Sequence, residues 1–402
     1  CRDVTIRRAM SKKLRVALVS AFPPGRQSLS EYGWHFANAL ANRDDVGQVI
    51  VIADKAMSLS YDDSNLSPKI IVVRTWEFNS VFTLLAILSA IRRMAPDCVI
   101  FNIQVASFGD REVPAAIGLF APFFSRAIGM PSGVIMHNLI SGMDLEGTKL
   151  RGKRFRKVFV QLGAHFVTAA ICRASYVTVT LHTYLEYLKR TFPRANVTLV
   201  PHGTFDLGDY QWLDFRTRPK RIVTLGKFGT YKKLDTLLQA FDLLRADKDF
   251  EGYELMIGGM DHPAAPGYLK KIMTSRRADH QVHFTGYLDE SEVANFFRFS
   301  RLSVFDYEST TGSSGVLNQS ASFGSVPVFP NIGDFVDVCA REGLRGYNYL
   351  PSDAVSLANA MKSALLEPEA CNTLAFANRQ AVRQVTISDV AGWHVTQMRS
   401  FL

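Results

Sequence analysis

The sequence predicts an α/β protein built from two doubly wound parallel sheets, and three observations predict it. Short β-branched, apolar runs alternate with helix-length amphipathic segments over nearly the whole chain, the pattern of βαβ units. At 402 residues the chain is too long for one ordinary core and suits two domains. The alternation also stops and restarts near the middle, where residues 203–219 (GTFDLGDYQWLDFRTRP) lose periodicity and read as a linker.

In the first half the expected strands are 14–20, 48–53, 70–74, 98–102, 133–137, 176–180 and 197–200. After the linker they are 221–225, 253–258, 282–285, 302–305 and 326–329. This gives a first Rossmann-like domain over 11–205, a linker over 206–219 and a second Rossmann-like domain over 220–372. Residues 373–402 read as helical, with Trp393 among apolar neighbours, a segment that either domain could receive, including by a return onto the first. Ligands of doubly wound sheets bind at the carboxyl ends of the strands, so the expected active site is a central cleft that the two domains face.

Composition narrows the function classes. Hydrophobic residues make up 47% and charged residues 21%, with no low-complexity tract, which excludes a disordered half. Cysteines at 1, 98, 172, 339 and 371 form no CxxC pair and have no histidine at zinc-ligand spacing, so they suggest reduced thiols in a cytoplasm-like compartment. No N-terminal stretch has the pattern of a secretory signal, and CRDVTIRRA reads as lying upstream of a start at Met10. The longest apolar runs, 81–91 and 113–124, fall short of the roughly 20 residues that span a bilayer. The net charge of +9 implies an anionic partner: nucleic acid, a lipid surface or a phosphorylated substrate. The chain lacks an aromatic-basic motif or a recognition-helix pattern, which sets nucleic acid aside.

Two segments carry the chemistry. In Gly226-Lys227-Phe228-Gly229-Thr230-Tyr231-Lys232-Lys233-Leu234-Asp235, two cations stand five residues apart between a strand and an amphipathic helix. Lysine ammonium groups act as point charges for phosphate oxygens, and glycine lets the backbone come close, so the pattern suits a diphosphate. An exposed basic loop is the plainer alternative. From Asp306 to Phe329 a Ser/Gly turn opens into a short helix and then a buried strand. Free N–H groups at such a helix start attract anions, which makes Ser313, Ser314 and Gly315 candidates; a simple serine cap is the alternative.

Together these segments resemble the family-4 glycosyltransferases of GT-B fold, over nearly all of the chain after Met10. The family's Gly-Arg/Lys turn with a lysine five residues on is similar to Gly226, Lys227 and Lys232, the pair implied to contact the donor diphosphate. Its Glu-x7-Glu element, followed by Gly-x-Pro-Val, is similar to residues 311–328, but the two glutamate positions fall on Thr311 and Gln319. Gln319 can still bond a ribose hydroxyl, whereas Thr311 cannot replace a charge; Glu308, three residues upstream, is a candidate for that space. In the first half the resemblance points to Gly25, Ser28 and Ser30 beside the donor, in place of a family glycine pair near Ser28. Glu31 reads either as a site residue or as a first-turn helix acid. His137 closes the strand GVIMH where the family places a histidine facing the donor sugar, and His202 in VPHG resembles a structural turn.

The resemblance implies transfer of a hexosyl unit from a GDP- or UDP-sugar to a saccharide or lipid-linked acceptor, with no metal or other cofactor; it implies retention of configuration, and inversion with Glu31 or His137 as general base is the alternative. His137, Lys227 and Lys232 are the implied catalytic residues. Lys149, Arg151, Lys153, Arg154, Arg156 and Lys157, interleaved with Leu150 and Phe155, suit an anionic membrane surface and a peripheral place on its inner face. A homologue that binds a nucleotide sugar or a partner enzyme without transfer is the second reading, motivated by Thr311 and Gln319.

Overall fold

The structure is a computed structural model that describes residues 12–25, 29–55, 66–139, 154–205, 208, 210–308 and 314–402, the side chains of 154–159, 290, 291 and 334 excepted. The chain divides into two units: residues up to Gly203 together with Ile387–Leu402, and Thr204–Thr386.

The first unit runs β1 (Leu14–Val19), α1 (Ser30–Ala41), β2 (Val46–Asp54), β3 (Ile70–Trp76), α2 (Thr83–Met94), β4 (Cys98–Ile103), α3 (Glu112–Leu119), α4 (Ala121–Ala127), β5 (Ser132–Met136), α5 (Arg154–Ile171), β6 (Tyr176–Val179), α6 (His182–Thr191) and β7 (Val197–Leu199). Its strands form one parallel sheet in the order β3-β2-β1-β4-β5-β6-β7. The central strand β4, CVIFNI, is buried at every residue, as a strand covered by helices on both faces must be. Helix α1 turns Tyr32, Phe36 and Leu40, spaced four apart, onto the sheet.

The second unit runs β8 (Arg221–Phe228), α7 (Asp235–Arg245), β9 (Glu254–Asp261), α8 (Tyr268–Ser275), β10 (Val282–Gly286), α9 (Glu290–Arg298), β11 (Leu302–Val304), α10 (Gly315–Ser322), β12 (Val326–Pro330), α11 (Gly333–Arg341), β13 (Tyr347–Tyr349), α12 (Ala354–Leu366) and α13 (Pro368–Val382). The sheet order is β10-β9-β8-β11-β12-β13, again all parallel. Helix α7 buries Leu237, Leu238, Phe241 and Leu244 along one stripe, and a fully buried Phe241 contributes about 2 to 3 kcal/mol of transfer free energy. The described cysteines, Cys98, Cys172, Cys339 and Cys371, are buried free thiols.

Three details depart from the sequence-based expectation. The segment expected to be a free linker packs into the second unit: Phe215 is fully buried, and Arg218 lies 5.4 Å from the Trp212 ring while its guanidinium bonds the carbonyls of Leu213, Ser300 and Phe323. Buried arginine is tolerated because each bond goes to a backbone carbonyl that needs a donor. The expected boundary at 372 falls inside α13, which stays with the second unit; only the last helix, α14 (Ile387–Arg399), groups with the first, where it packs on α1. Strand β13 was not expected, since three residues are too few to show a period.

Candidate functional site

In the second unit the chain leaves β8 and β11 toward opposite edges of the sheet, so the crevice beyond their carboxyl ends is the switch point where ligands of such sheets bind. Lys227 and Phe228 end β8 there, and Phe305, Asp306 and Tyr307 follow β11. Gly226 pairs with Gly259 of β9. A Cβ on Gly226 would stand 3.2 Å from Lys232 Cδ, so the missing side chain is what lets the Lys232 stem lie back across β8.

The two segments singled out in the sequence meet in one strip. Gly229, at φ 108°, turns the chain and donates its N–H to the Lys232 carbonyl at 2.9 Å. Lys233 N–H then bonds the Asp306 carbonyl at 3.0 Å, and Glu308 N–H bonds the Tyr231 carbonyl at 2.8 Å, which makes Lys232 and Tyr307 partners in an antiparallel bridge. Lys232 Nζ lies 4.6 Å from the Tyr307 ring centroid and 5.8 Å from that of Tyr231. Burial works against its ammonium, but Tyr307 and Tyr231 more than offset that and hold its pKa above the ordinary lysine value. Lys227 goes the other way: burial first, then the charge of Lys232, lowers its pKa. An anion bound between the two would relieve that repulsion, which is the property a diphosphate site needs.

Around this strip, Ser314 caps α10, its hydroxyl accepting the Leu317 N–H at 3.3 Å, and Gly315 is the first helical residue. Gln319, on the same helix, is 6% exposed. Glu308 forms an ion pair with Lys233 at 2.7 Å, which holds its carboxylate at the strip's outer side. Asp306 is 3% exposed and accepts the Leu237 N–H at 3.0 Å at the start of α7; burial pushes its carboxyl up to about 6. Burial likewise brings Glu342, bonded to Asn318, up to about 7. Thr311 and Ser313 lie outside the described residues.

In the first unit the switch point lies between β1 and β4. Gly25 donates its N–H to the Phe22 carbonyl at 3.1 Å, and a Cβ there would come 2.8 Å from Asp54 Oδ2. The glycine is therefore required by a neighbour within the fold, a buried carboxylate that also accepts the Phe22 N–H at 3.1 Å. Ser30 opens α1, buried, with its hydroxyl unpartnered among the described residues; Glu31 is exposed in the same first turn, where its charge suits the helix dipole. Ser28 lies outside the described residues.

His137 follows β5 and is 8% exposed, its Nε2 2.7 Å from Asn102 Oδ1. Asn102 donates its amide to the Ser20 hydroxyl at 2.9 Å, so its oxygen faces the histidine and the ring donates from Nε2. Tyr32 and His202 stack edge-on at 4.6 and 5.8 Å. Burial and the neighbouring His202 hold His137 neutral, and His202, bonded through Nδ1 to the Gly203 carbonyl, is itself lowered to about 4 by burial. The basic run at Lys149, Arg151 and Lys153 lies outside the described residues; Arg154, Arg156 and Lys157 fall in the opening turns of α5.

Sequence reasoning missed Tyr307, Asp306 and Asn102. Tyr307 and Asp306 open the second segment, ahead of the residues that match its pattern. Asn102 is the single polar side chain in an apolar strand, a signal that could have been used.

A family model described as "Glycosyl transferases group 1" matches residues 211–381. No curated protein matches the chain in sequence. Among solved structures the chain is similar to sucrose-phosphate synthase from Thermosynechococcus elongatus, at 17% identity and a TM-score of 0.75, over 96% of this chain and 98% of that one. It is also similar to Anabaena Alr3699/HepE in complex with UDP-glucose, at 14% identity and a TM-score of 0.67, over 97% and 100% of the two chains. WaaG, a glycosyltransferase involved in lipopolysaccharide biosynthesis, matches at 12% identity and a TM-score of 0.63, over 94% and 98%. With its two parallel-sheet units the chain has the GT-B fold, and its residues 211–381 match the family model of the group 1 glycosyl transferases.

Proposed function

We propose that the chain transfers a hexosyl unit from a nucleoside-diphosphate sugar, GDP- or UDP-linked, to a saccharide or lipid-linked glycan acceptor in the synthesis of a cell-surface polysaccharide or glycolipid. The observation that carries this reading is the lysine pair at the β8–β11 switch point, Lys227 at the end of β8 and Lys232 bridged to Tyr307. As the bond from the sugar C1 to the diphosphate oxygen breaks, negative charge builds on that oxygen. Lys227, Lys232 and the amides at Ser313, Ser314 and Gly315 stabilise it, so the reaction needs no metal or organic cofactor. Gln319 and Thr311 border the ribose and the transferred sugar, and transfer proceeds with retention of configuration. His137, neutral and fixed by Asn102, is assigned to the transferred sugar, and Gly25, Ser28 and Ser30 are assigned to the donor. The UDP-glucose complex of HepE and the lipopolysaccharide role of WaaG support the donor and acceptor classes through likeness of fold.

A membrane-borne acceptor fits the first unit's surface. Helices α2, α3, α4 and α5 pack side by side; Leu85, Val113, Leu162 and Phe166 on three of them, and Phe82 just before α2, are more than half exposed. Residues 147–185 include seven Lys or Arg and no Asp or Glu. Among the described residues no helix is long and apolar enough to cross a membrane, so the contact proposed is peripheral, on the anionic inner face.

The test is turnover of UDP-glucose and GDP-mannose by wild type, Lys227→Ala and Lys232→Ala, with the product anomer read by NMR. Loss of turnover in both variants is expected, and undiminished turnover in both overturns the diphosphate site. Binding of the donor with no transfer to any acceptor favours the second reading, a non-catalytic homologue. Co-sedimentation with anionic but not neutral vesicles tests the membrane face.

A further inference from the structure

At the end of β9 the chain makes a tight turn, His262-Pro263-Ala264-Ala265, closed by Ala265 N–H donating to the His262 carbonyl at 2.8 Å. Proline in the second place presets that turn, and the first residue fixes its own side chain by accepting the N–H two residues on. Here the acceptor is a ring nitrogen: Ala264 N–H bonds His262 Nδ1 at 3.1 Å. His262 N–H in turn bonds the Phe228 carbonyl at 2.8 Å, which ties the turn to the end of β8, one residue beyond Lys227.

An Nδ1 that accepts a hydrogen bond carries no proton, so the neutral ring holds its proton on Nε2. That nitrogen has no hydrogen-bond partner among the described residues, and the side chain is half-buried. The charged groups that act on the ring are Lys227 on β8 and Lys232 in the loop after it; with burial as the leading cause, they lower its pKa. Asp261, the adjacent carboxylate, does not serve as its partner, since it accepts the N–H groups of Gly267 and Leu269 at 2.6 and 2.7 Å at the start of α8. Tyr268, the first residue of that helix, gives its hydroxyl proton to Asp235.

Resting on the donor-site reading above, we propose that His262 is a third diphosphate-contacting residue, a neutral imidazole that donates a hydrogen bond from Nε2 to a phosphate oxygen beside Lys227 and Lys232. A neutral donor suits this place because a third cation next to two lysines would be repelled, whereas an N–H group adds a directed bond without adding charge. The turn makes the donor rigid, so little rotamer freedom is lost on binding.

UDP-glucose is the probe, since both its phosphates are diesters and no proton of its diphosphate titrates near neutral pH. Calorimetric titration compares wild type with His262→Asn, whose carbonyl can replace Nδ1 in the turn but which lacks the outer donor, and His262→Gln, whose amide can replace Nε2–H. The expected result is about tenfold or greater weakening in His262→Asn and recovery to within about threefold in His262→Gln. The wild-type affinity should be flat between pH 6 and 8, and the 15N spectrum of His262 should show the Nε2–H tautomer, with Nε2 shifting when UDP-glucose is added. Wild-type binding by His262→Asn, an affinity that falls with pH through the titration of this ring, or an Nε2 resonance that ignores the ligand overturns the proposal while leaving the lysine site intact. Absence of any UDP-glucose or GDP-mannose binding by wild type overturns the donor-site reading itself.

Discussion

Lys232 and Tyr307 are joined twice, by an antiparallel backbone bridge and by an ammonium 4.6 Å from the phenol ring. The bridge fixes where the Lys232 Cα sits, and the ring fixes where its charge ends. Tyr307 is itself held in an aromatic cluster, edge-on to Phe305 at 5.6 Å and to Phe335 at 5.7 Å. The position of the cation is therefore set by the packing of the second unit's core.

Replacing the ring should release the lysine. Tyr307→Phe keeps the ring face and should bind UDP-glucose within about threefold of wild type, while Tyr307→Leu removes it and should weaken binding by about tenfold, the range of a desolvated cation–π contact. Comparing KM with kcat for the two variants checks this. Equal binding in both would show that the bridge alone positions Lys232.

The two-sheet architecture was legible because its causes are local: runs such as CVIFNI and VIVIA declare buried strands, and DTLLQAFDLL declares a helix by its stripe. The lysine pair was legible for a similar reason, since the two cations stand five residues apart. Tyr307 was not, because its partner is 75 residues away and nothing in DYEST marks a tyrosine as a rest for an ammonium. His262 was hidden likewise, its role depending on the sheet order that sets β9 beside β8. The packing of residues 210–219 was not legible, because Trp212 and Phe215 anchor the segment without any period.

Asp306 predicts a pH dependence of stability. Its folded value of about 6 lies above the unfolded one, so the folded state holds a proton the unfolded chain gives up. Its contribution is most favourable below about pH 4 and is lost as pH rises through 6, a cost of about 3 kcal/mol at neutral pH. Asp306→Asn keeps an oxygen for the Leu237 N–H. Its stability relative to wild type should rise between pH 4 and 7, read by urea unfolding at each pH; a constant difference would rule out this titration.

Four charges form a closed ring on the second unit. Arg245 bonds Asp242 at 2.6 Å and Asp279 at 2.7 Å, while Arg276 bonds the same two carboxylates at 2.6 and 3.3 Å. Asp279 is the most buried member at 12% side-chain exposure, and its hydrogen bond to Arg245 is the leading cause that holds its pKa below the ordinary carboxylate value. A depressed carboxylate contributes stability above its unfolded value and loses it as pH falls through the folded one. Asp279→Ala should therefore cost up to about 1 kcal/mol at pH 7, the range of measured ion pairs, with the gap from wild type closing as the pH falls below the ordinary carboxylate value. Thermal unfolding at neutral and at acid pH measures it, and a gap that persists in acid would assign the loss to packing.

The glycine pair Gly226 and Gly259 separates fold from site within a single strand pairing. Gly259 sits at φ 119°, and a Cβ on it would lie 1.9 Å from the Gly226 carbonyl oxygen, so Gly259→Ala must part β8 from β9. Those strands carry the centre of the second sheet, and the expected cost exceeds about 4 kcal/mol, enough to unfold the unit. At Gly226 the nearest atom that an added Cβ would meet is Lys232 Cδ, at 3.2 Å, and a flexible lysine can swing aside. Gly226→Ala should keep its melting temperature within about 2 °C of wild type while weakening UDP-glucose binding about tenfold, because the stem can no longer cross β8 to rest on Tyr307. Circular dichroism melts paired with calorimetric titration distinguish the two variants. A Gly226→Ala protein that melts early, or that binds normally, would break the link between this glycine and the lysine it makes room for.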